Sequence, residues 1–256
     1  MLYLTGCIPS KDELRSLLRE NGIGAMLTPF SQRSCPGGWP WAADNGCFAS
    51  RWTEAVWFSW LRSKEDPGSA LFATVPDVVG DHSGTLERWW QWHAAVADLG
   101  YSPAFVLQDG LVPSEVPWDQ MGALFVGGTT DFKLSEDSRL MVAEAKRRGK
   151  WVHMGRVNSR KRIRIAHEWG CDSVDGTFLA FAPDHNTHRL IRIMAEGTSV
   201  PPAGRGPVAD AAALLVEELR DPQVAVGVQE DGHVPPLGPA HPRGDGDPAR
   251  VDLEQS

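Results

Sequence analysis

The chain has 256 residues, 42% of them apolar and 23% charged, enough for one large core or two small ones, so a single domain of α/β-barrel size is the simplest reading. Its formal charge of −8 is uneven: residues 1–196 carry 21 Lys and Arg against 23 Asp and Glu, and residues 197–256 carry 4 against 10. The acidity therefore sits in the tail, and a local basic patch for nucleic acid is not excluded.

Short apolar runs alternate with helical patterns along the first 180 residues, which predicts βα units and a parallel sheet. The expected strands are Leu2–Thr5, Gly24–Thr28, Trp41–Asp44, Leu71–Pro76, Ala104–Gln108, Ala123–Gly127, Trp151–Met154 and Asp172–Val174. Expected helix starts are Ser10, Thr53, Thr85, Ser135 and Ser159, each ahead of an amphipathic stretch. Eight such units in residues 1–196 predict one compact (β/α)8 barrel, with an open doubly wound sheet as the alternative. Residues 197–256, rich in Pro, Gly and Asp with one short helical pattern (ADAAALLVEELR), are expected to be a mostly disordered acidic tail. Cys7, Cys35, Cys47 and Cys171 form no CxxC pair, which fits a reducing, cytoplasmic setting. No leader pattern and no apolar run of about 18 residues occurs, so a soluble chain with no membrane partner is expected.

Barrel enzymes carry their chemistry at the carboxyl ends of strands. Here those ends hold Asp44, Asp77, Gln108 with Asp109, Gly127 with Gly128 and Thr129, Arg156 with Asn158, and Asp175. Turn formers and helix caps explain any one of them. Turn chemistry does not require Gln108 in an apolar strand or Asp175 between Val174 and Gly176. The runs KRRGK (146–150) and RVNSRKRIR (156–164) hold nine Lys and Arg, the expected phosphate contacts. Of the eleven tryptophans, Trp57, Trp60, Trp89, Trp90 and Trp92 are expected to pack on helices, and Trp39 and Trp41 to rim a pocket.

In order along residues 40–178, ADNGCFAS, FVLQDG, FVGGTTDFKLS and HMGRVNSRKRIRIAHEWGCDSVDGT resemble the DSGGFQ, VQGG, GGLAVGE-like and MGVGTPEDLVRAVEWGVDMFDCV elements of the queuine and archaeosine tRNA-guanine transglycosylases. The resemblance implies that Asp175 is the nucleophile and Asp44 the group that transfers a proton to the base. It also implies that Asp77, with Asp81 as competitor, grips the purine amine edge. Gln108, Gly127 and Gly128 then face the carbonyl side, and the Met154-Gly155 turn completes the base-binding set. Arg156, Arg160, Lys161, Arg162 and Arg164 become the nucleic-acid contacts. No cofactor and no metal is implied.

The departures are informative. The tRNA enzymes carry a zinc site of clustered cysteines and a histidine, yet no cysteine follows Cys171, and His185 with His188 lack further ligands. Asn45-Gly46-Cys47 replaces SGG, and Gly176 stands where cysteine is usual. This reduced form looks more like the phage and bacterial-island transglycosylases that exchange guanine in DNA for a 7-deazaguanine. DNA and a free 7-deazaguanine base are therefore the expected partners, with tRNA the alternative and a homodimer or accessory protein left open. A nucleoside or glycoside hydrolase using the same carboxylates, and a non-catalytic nucleic-acid-binding protein, are the competing readings.

Overall fold

A computed structural model describes residues 1–199 other than Phe48, Ser50 and Phe181. The expectation for the acidic tail from residue 200 onward, including its short helix, lies outside the described residues.

The eight strands are β1 (Leu2–Thr5), β2 (Ile23–Leu27), β3 (Trp41–Ala43), β4 (Ala70–Thr74), β5 (Pro103–Leu107), β6 (Ala123–Val126), β7 (Trp151–Met154) and β8 (Ser173–Gly176). All pair in parallel in sequence order, and β1 pairs with β8, so the sheet closes into a barrel and has no edge. The open-sheet alternative is thereby excluded. The helices are α1 (Asp12–Glu20), α2 (Glu54–Arg62), α3 (His82–Asp98), α4 (Thr130–Lys133), α5 (Glu136–Arg147), α6 (Arg160–Glu168) and α7 (Pro183–Gly197). Between β2 and β3 there is no helix, and between β5 and β6 only the 3-10 turn Pro113–Glu115.

Side-chain alternation sorts the strands into two layers. Leu4, Met26, Ala42, Phe72, Ala104 and Ala123 form an apolar cluster inside the barrel. Their odd-even neighbours Tyr3, Ala25, Trp41, Ala73, Phe105, Leu124, Val152 and Val174 belong to the larger core between sheet and helices, with Leu18, Trp57, Trp89, Met141, Ile163 and Leu190. Two positions beyond an inward residue at a strand's carboxyl end, the next inward side chain stands at the barrel mouth. That rule puts Asp44 above Ala42, Gln108 in line with Ala104, and Asp175 above Ser173.

Thr53, Ser135 and Ser159 cap their helices as expected, each side chain accepting from the N–H three residues on. Two expected starts are corrected. The first helix begins after Lys11, without a side-chain cap, and α3 begins a turn earlier than Thr85, after Asp81. No described helix is long and apolar enough to cross a membrane.

Candidate active site

Three carboxylates meet at the mouth. Asp44 follows β3 and its N–H donates to the Leu27 carbonyl at 2.8 Å, continuing the ladder for one residue. Its carboxyl is raised to about 7, chiefly by burial and then by Asp175 and Asp77, while the backbone N–H groups of Asn45 and Gly46 pull it down.

Asp77 is only 7% exposed. Its Oδ1 accepts from Asn45 Nδ2 at 2.7 Å and its Oδ2 from Gln108 Nε2 at 2.5 Å. Burial raises its pKa, and those hydrogen bonds oppose the rise. Asn45 also donates to the Val75 carbonyl and accepts from Cys47 N, and Gln108 Oε1 accepts from Gly80 N at 2.9 Å. Asn45 and Gln108 thus clamp Asp77 from both sides. Gln108 is corrected accordingly: buried, with its carbonyl engaged by Gly80, it positions Asp77 instead of presenting an acceptor to a base.

Asp175 lies within β8, which ends at Gly176, two residues beyond the expected Val174, and it is paired with the inward Leu4. Its Oδ1 accepts from the Arg156 N–H at 2.6 Å, and its carbonyl accepts from Val157 N at 2.6 Å. Arg156 makes this grip in the left-handed region, φ 56°, which is uncommon for a residue with a Cβ. Among the described residues nothing donates to Asp175 Oδ2. Gly155 lets the Phe125 ring pack close beside the carboxylate: a Cβ there would stand 2.6 Å from that ring and 3.6 Å from Asp175 Oδ1. Gly176 is required for a different reason, because a Cβ would meet Asn158 Oδ1 at 2.4 Å, the Tyr3 hydroxyl at 2.6 Å and the Val157 carbonyl at 2.7 Å. That crowding accounts for a glycine directly after Asp175.

Other expected site residues are placed elsewhere. Asp81 caps α3, its carboxylate accepting from Gly84 N at 3.1 Å. The Gly127 N–H is committed to the Leu107 carbonyl at 3.1 Å and cannot serve a ligand; Gly128 turns at φ 72° and its carbonyl accepts from Arg156 Nη2 at 2.8 Å. Met154 points outward into the sheet–helix core, because its inward neighbours are His153 and Gly155. Trp39 and Trp41 are buried in that same core; Trp41 opens β3, at the far end from Asp44.

The basic runs divide. Lys146 is bonded to both Asp172 oxygens at 2.7 Å, Arg147 and Arg148 both hold the buried Glu144, and Lys150 donates to the Met121 carbonyl. The 146–150 run therefore ties the end of α5 to the amino ends of the strands, away from the mouth. Arg156, Arg160, Lys161 and Arg162 stand on the mouth side, where α6 begins, with Arg164 one turn on. Arg160 pairs with Glu196 at 2.7 Å and Arg164 with Glu168 at 3.6 Å; Lys161 is exposed.

Sequence reasoning missed Lys133. It is buried, donates to the Gly155 carbonyl at 3.1 Å, and is lowered to about 8 by desolvation and then by Arg156, while Asp175 opposes the shift. It also missed the buried His153, whose Nε2 lies 3.4 Å from Asp175 Oδ1. Lys133 left no sequence signal. His153 did: it is the one ionisable residue in the otherwise apolar run Trp151–Met154. His185 and His188 are exposed on α7, and no group of three metal-ligating side chains occurs among the described residues. A groove of about 370 Å³ lined by Trp90, Trp118 and Asp119 contains none of the three carboxylates.

No family model and no curated protein matches the chain. Solved structures similar to it include an open form of tryptophan synthase from M. tuberculosis (16% identity, 77% of this chain and 90% of that one, TM-score 0.46). Others are the tryptophan synthase complex from Pyrococcus furiosus (14%, 77% and 96%, TM-score 0.49) and a mandelate oxidase variant (18%, 79% and 70%, TM-score 0.45). Likenesses at that level carry nothing about substrate or reaction.

Proposed function

We propose that this protein is a base-exchange transglycosylase that replaces guanine in DNA with a 7-deazaguanine. The observation that carries the reading is the pairing at the mouth of Asp175, held by one oxygen only, with Asp44, whose carboxyl is raised to about 7 and so exchanges a proton near neutrality. Asp175 Oδ2 attacks C1′ of the target nucleotide. The C1′–N9 bond breaks, its electron pair leaves with guanine, and Asp44 supplies the proton that the departing base takes up. An ester now joins Asp175 to the sugar. The incoming deazaguanine returns a proton to Asp44, attacks C1′ through its ring nitrogen and frees the Asp175 carboxylate. Asp77 offers acceptor lone pairs to the amine edge of either base. A base in a duplex has to be swung out to reach this mouth.

The first turn of α6 supports a polyanionic substrate. Three cations, Arg160, Lys161 and Arg162, open that helix, whose first turn holds no acidic residue; Arg160 is paired with Glu196 of α7, which leaves Lys161 exposed beside Arg162. Cations at a helix amino terminus oppose its dipole by about 0.3–1 kcal/mol each, so their presence is better explained by what they bind than by stability.

Incubation of the protein with labelled guanine or a 7-deazaguanine and either duplex DNA or tRNA tests the proposal. Label retained in DNA by the wild type and lost with Asp175→Asn supports it. Retention in tRNA alone moves the substrate to tRNA, release of free base without incorporation points to a hydrolase, and binding unaffected by Asp175→Asn with no retention points to a non-catalytic nucleic-acid-binding protein.

A further inference from the structure

Behind Asp175 lies a series of side chains that the reaction above does not use. His153 is fully buried on the inward face of β7, with ring centroids 4.6 Å from Phe125 and 5.2 Å from Phe72. Its Nδ1 is 2.9 Å from Ser173 Oγ, and that same oxygen accepts from Trp151 Nε1 at 2.9 Å. A serine hydroxyl has one proton. Trp151 fills one of the two acceptor sites on Oγ, and the arrangement in which the hydroxyl proton points at His153 Nδ1 leaves the imidazole's own proton on Nε2, the tautomer on which the proposal rests. Nε2 has no hydrogen-bond partner at normal geometry among the described residues and faces Asp175 Oδ1 at 3.4 Å. The aromatic neighbours show that an apolar ring fits this layer, so packing does not require an imidazole.

We propose that His153 is a positioning residue for the nucleophile: its Nε2–H and the Arg156 N–H both address Oδ1 of Asp175, which reserves Oδ2 for attack at C1′. The inference rests on the base-exchange reading, since it takes Asp175 as the nucleophile. When the Oδ2–C1′ bond forms and the C1′–N9 pair leaves with the base, Oδ1 becomes the ester carbonyl and keeps both donors, so the carboxyl plane is held through both half-reactions. A contact of 3.4 Å is long in the unliganded site, and such contacts tighten when substrate is bound.

Two measurements decide it. The first is single-turnover formation of the covalent protein–DNA adduct, resolved on a denaturing gel without incoming base, for wild type, His153→Leu and His153→Gln, beside guanine affinity and thermal melting. Leucine should slow adduct formation about 10- to 100-fold with guanine affinity within about twofold, and glutamine, which keeps an N–H donor, should recover most of the rate. Adduct formation by the leucine variant within about threefold of wild type, or no recovery with glutamine, overturns the proposal. The second is the long-range proton–nitrogen spectrum of histidine-labelled wild type, which should show His153 as the Nε2–H tautomer and shift in Asp175→Asn. An Nδ1–H tautomer in an active enzyme overturns the positioning alone. A wild type that forms no adduct on DNA or tRNA overturns the base-exchange reading, and the role of His153 with it, while leaving the tautomer standing.

Discussion

At Asp44 the chain keeps a carboxyl where water is scarce. In an unfolded chain an aspartate titrates near 3.9, and here it does so at about 7. Between those values the folded state holds a proton that the unfolded state has lost, so this residue makes stability fall as pH rises from about 4 to about 7 and adds no slope beyond. Asp77 is displaced the same way. Asp44→Asn should flatten that slope and gain on the order of 1–3 kcal/mol above pH 7, less than full burial implies because Asp44 is partly exposed at the mouth. Urea melts at pH 5, 6, 7 and 8 check it, and an unchanged slope means other groups dominate. The proposed exchange uses Asp44 as an acid and then as a base, so on that proposal its rate should peak near pH 7 and that optimum should vanish in the variant. At Gly176 the prediction is steric: Gly176→Ala forces apart the Tyr3 hydroxyl, the Val157 carbonyl and Asn158, and should destabilise by about 1–3 kcal/mol in the same assay. The two carboxylates were legible because strand alternation carries Ala42 to Asp44 and Ser173 to Asp175. The same alternation turns Met154 outward once His153 is recognised as inward. Asp81 against Asp77 was not legible, since only the observed start of α3 makes Asp81 a cap.

Helices announced by a capping hydroxyl ahead of good formers, those after Thr53, Ser135 and Ser159, could be read from the sequence. The start of α3 could not, because Gly84 in its first turn is a poor helix former and hides a turn held by the Asp81 side chain. The basic runs misled for a related reason: composition does not say that Lys146, Arg147 and Arg148 already have carboxylate partners. At α6 the first-turn cations set stability against binding. Lys161→Glu should raise stability by about 0.3–1 kcal/mol by restoring the preferred charge near the helix start, and should weaken DNA binding. Thermal melts and a DNA titration at one salt concentration measure both, and a loss of stability contradicts the dipole account.

For the molecule as a whole, charge placement predicts where polyanion binding is centred. If the mouth binds DNA, the double variant Lys161→Ala, Arg164→Ala should reduce the slope of log affinity against log salt by about 2, near 0.9 for each phosphate no longer neutralised. Lys150→Ala, which removes a donor to the Met121 carbonyl at the opposite end, should leave that slope unchanged. Equal effects from both ends mean that binding is diffuse and not centred on the mouth.

Closure of the barrel by β1 against β8 has a consequence for how the protein comes into being. The Tyr3 hydroxyl accepts from Phe178 N across 175 residues, and Leu4 lies beside Asp175. The strand beside Asp175 is thus made first on the ribosome, and Asp175 itself only with the last strand of the barrel. Such distant pairing slows folding, because the entropy of closing a long loop is lost before any favourable interaction compensates for it. A nascent chain halted before β8 has an open sheet edge and no Asp175, so the last strand closes the barrel and completes the group of carboxylates at its mouth together.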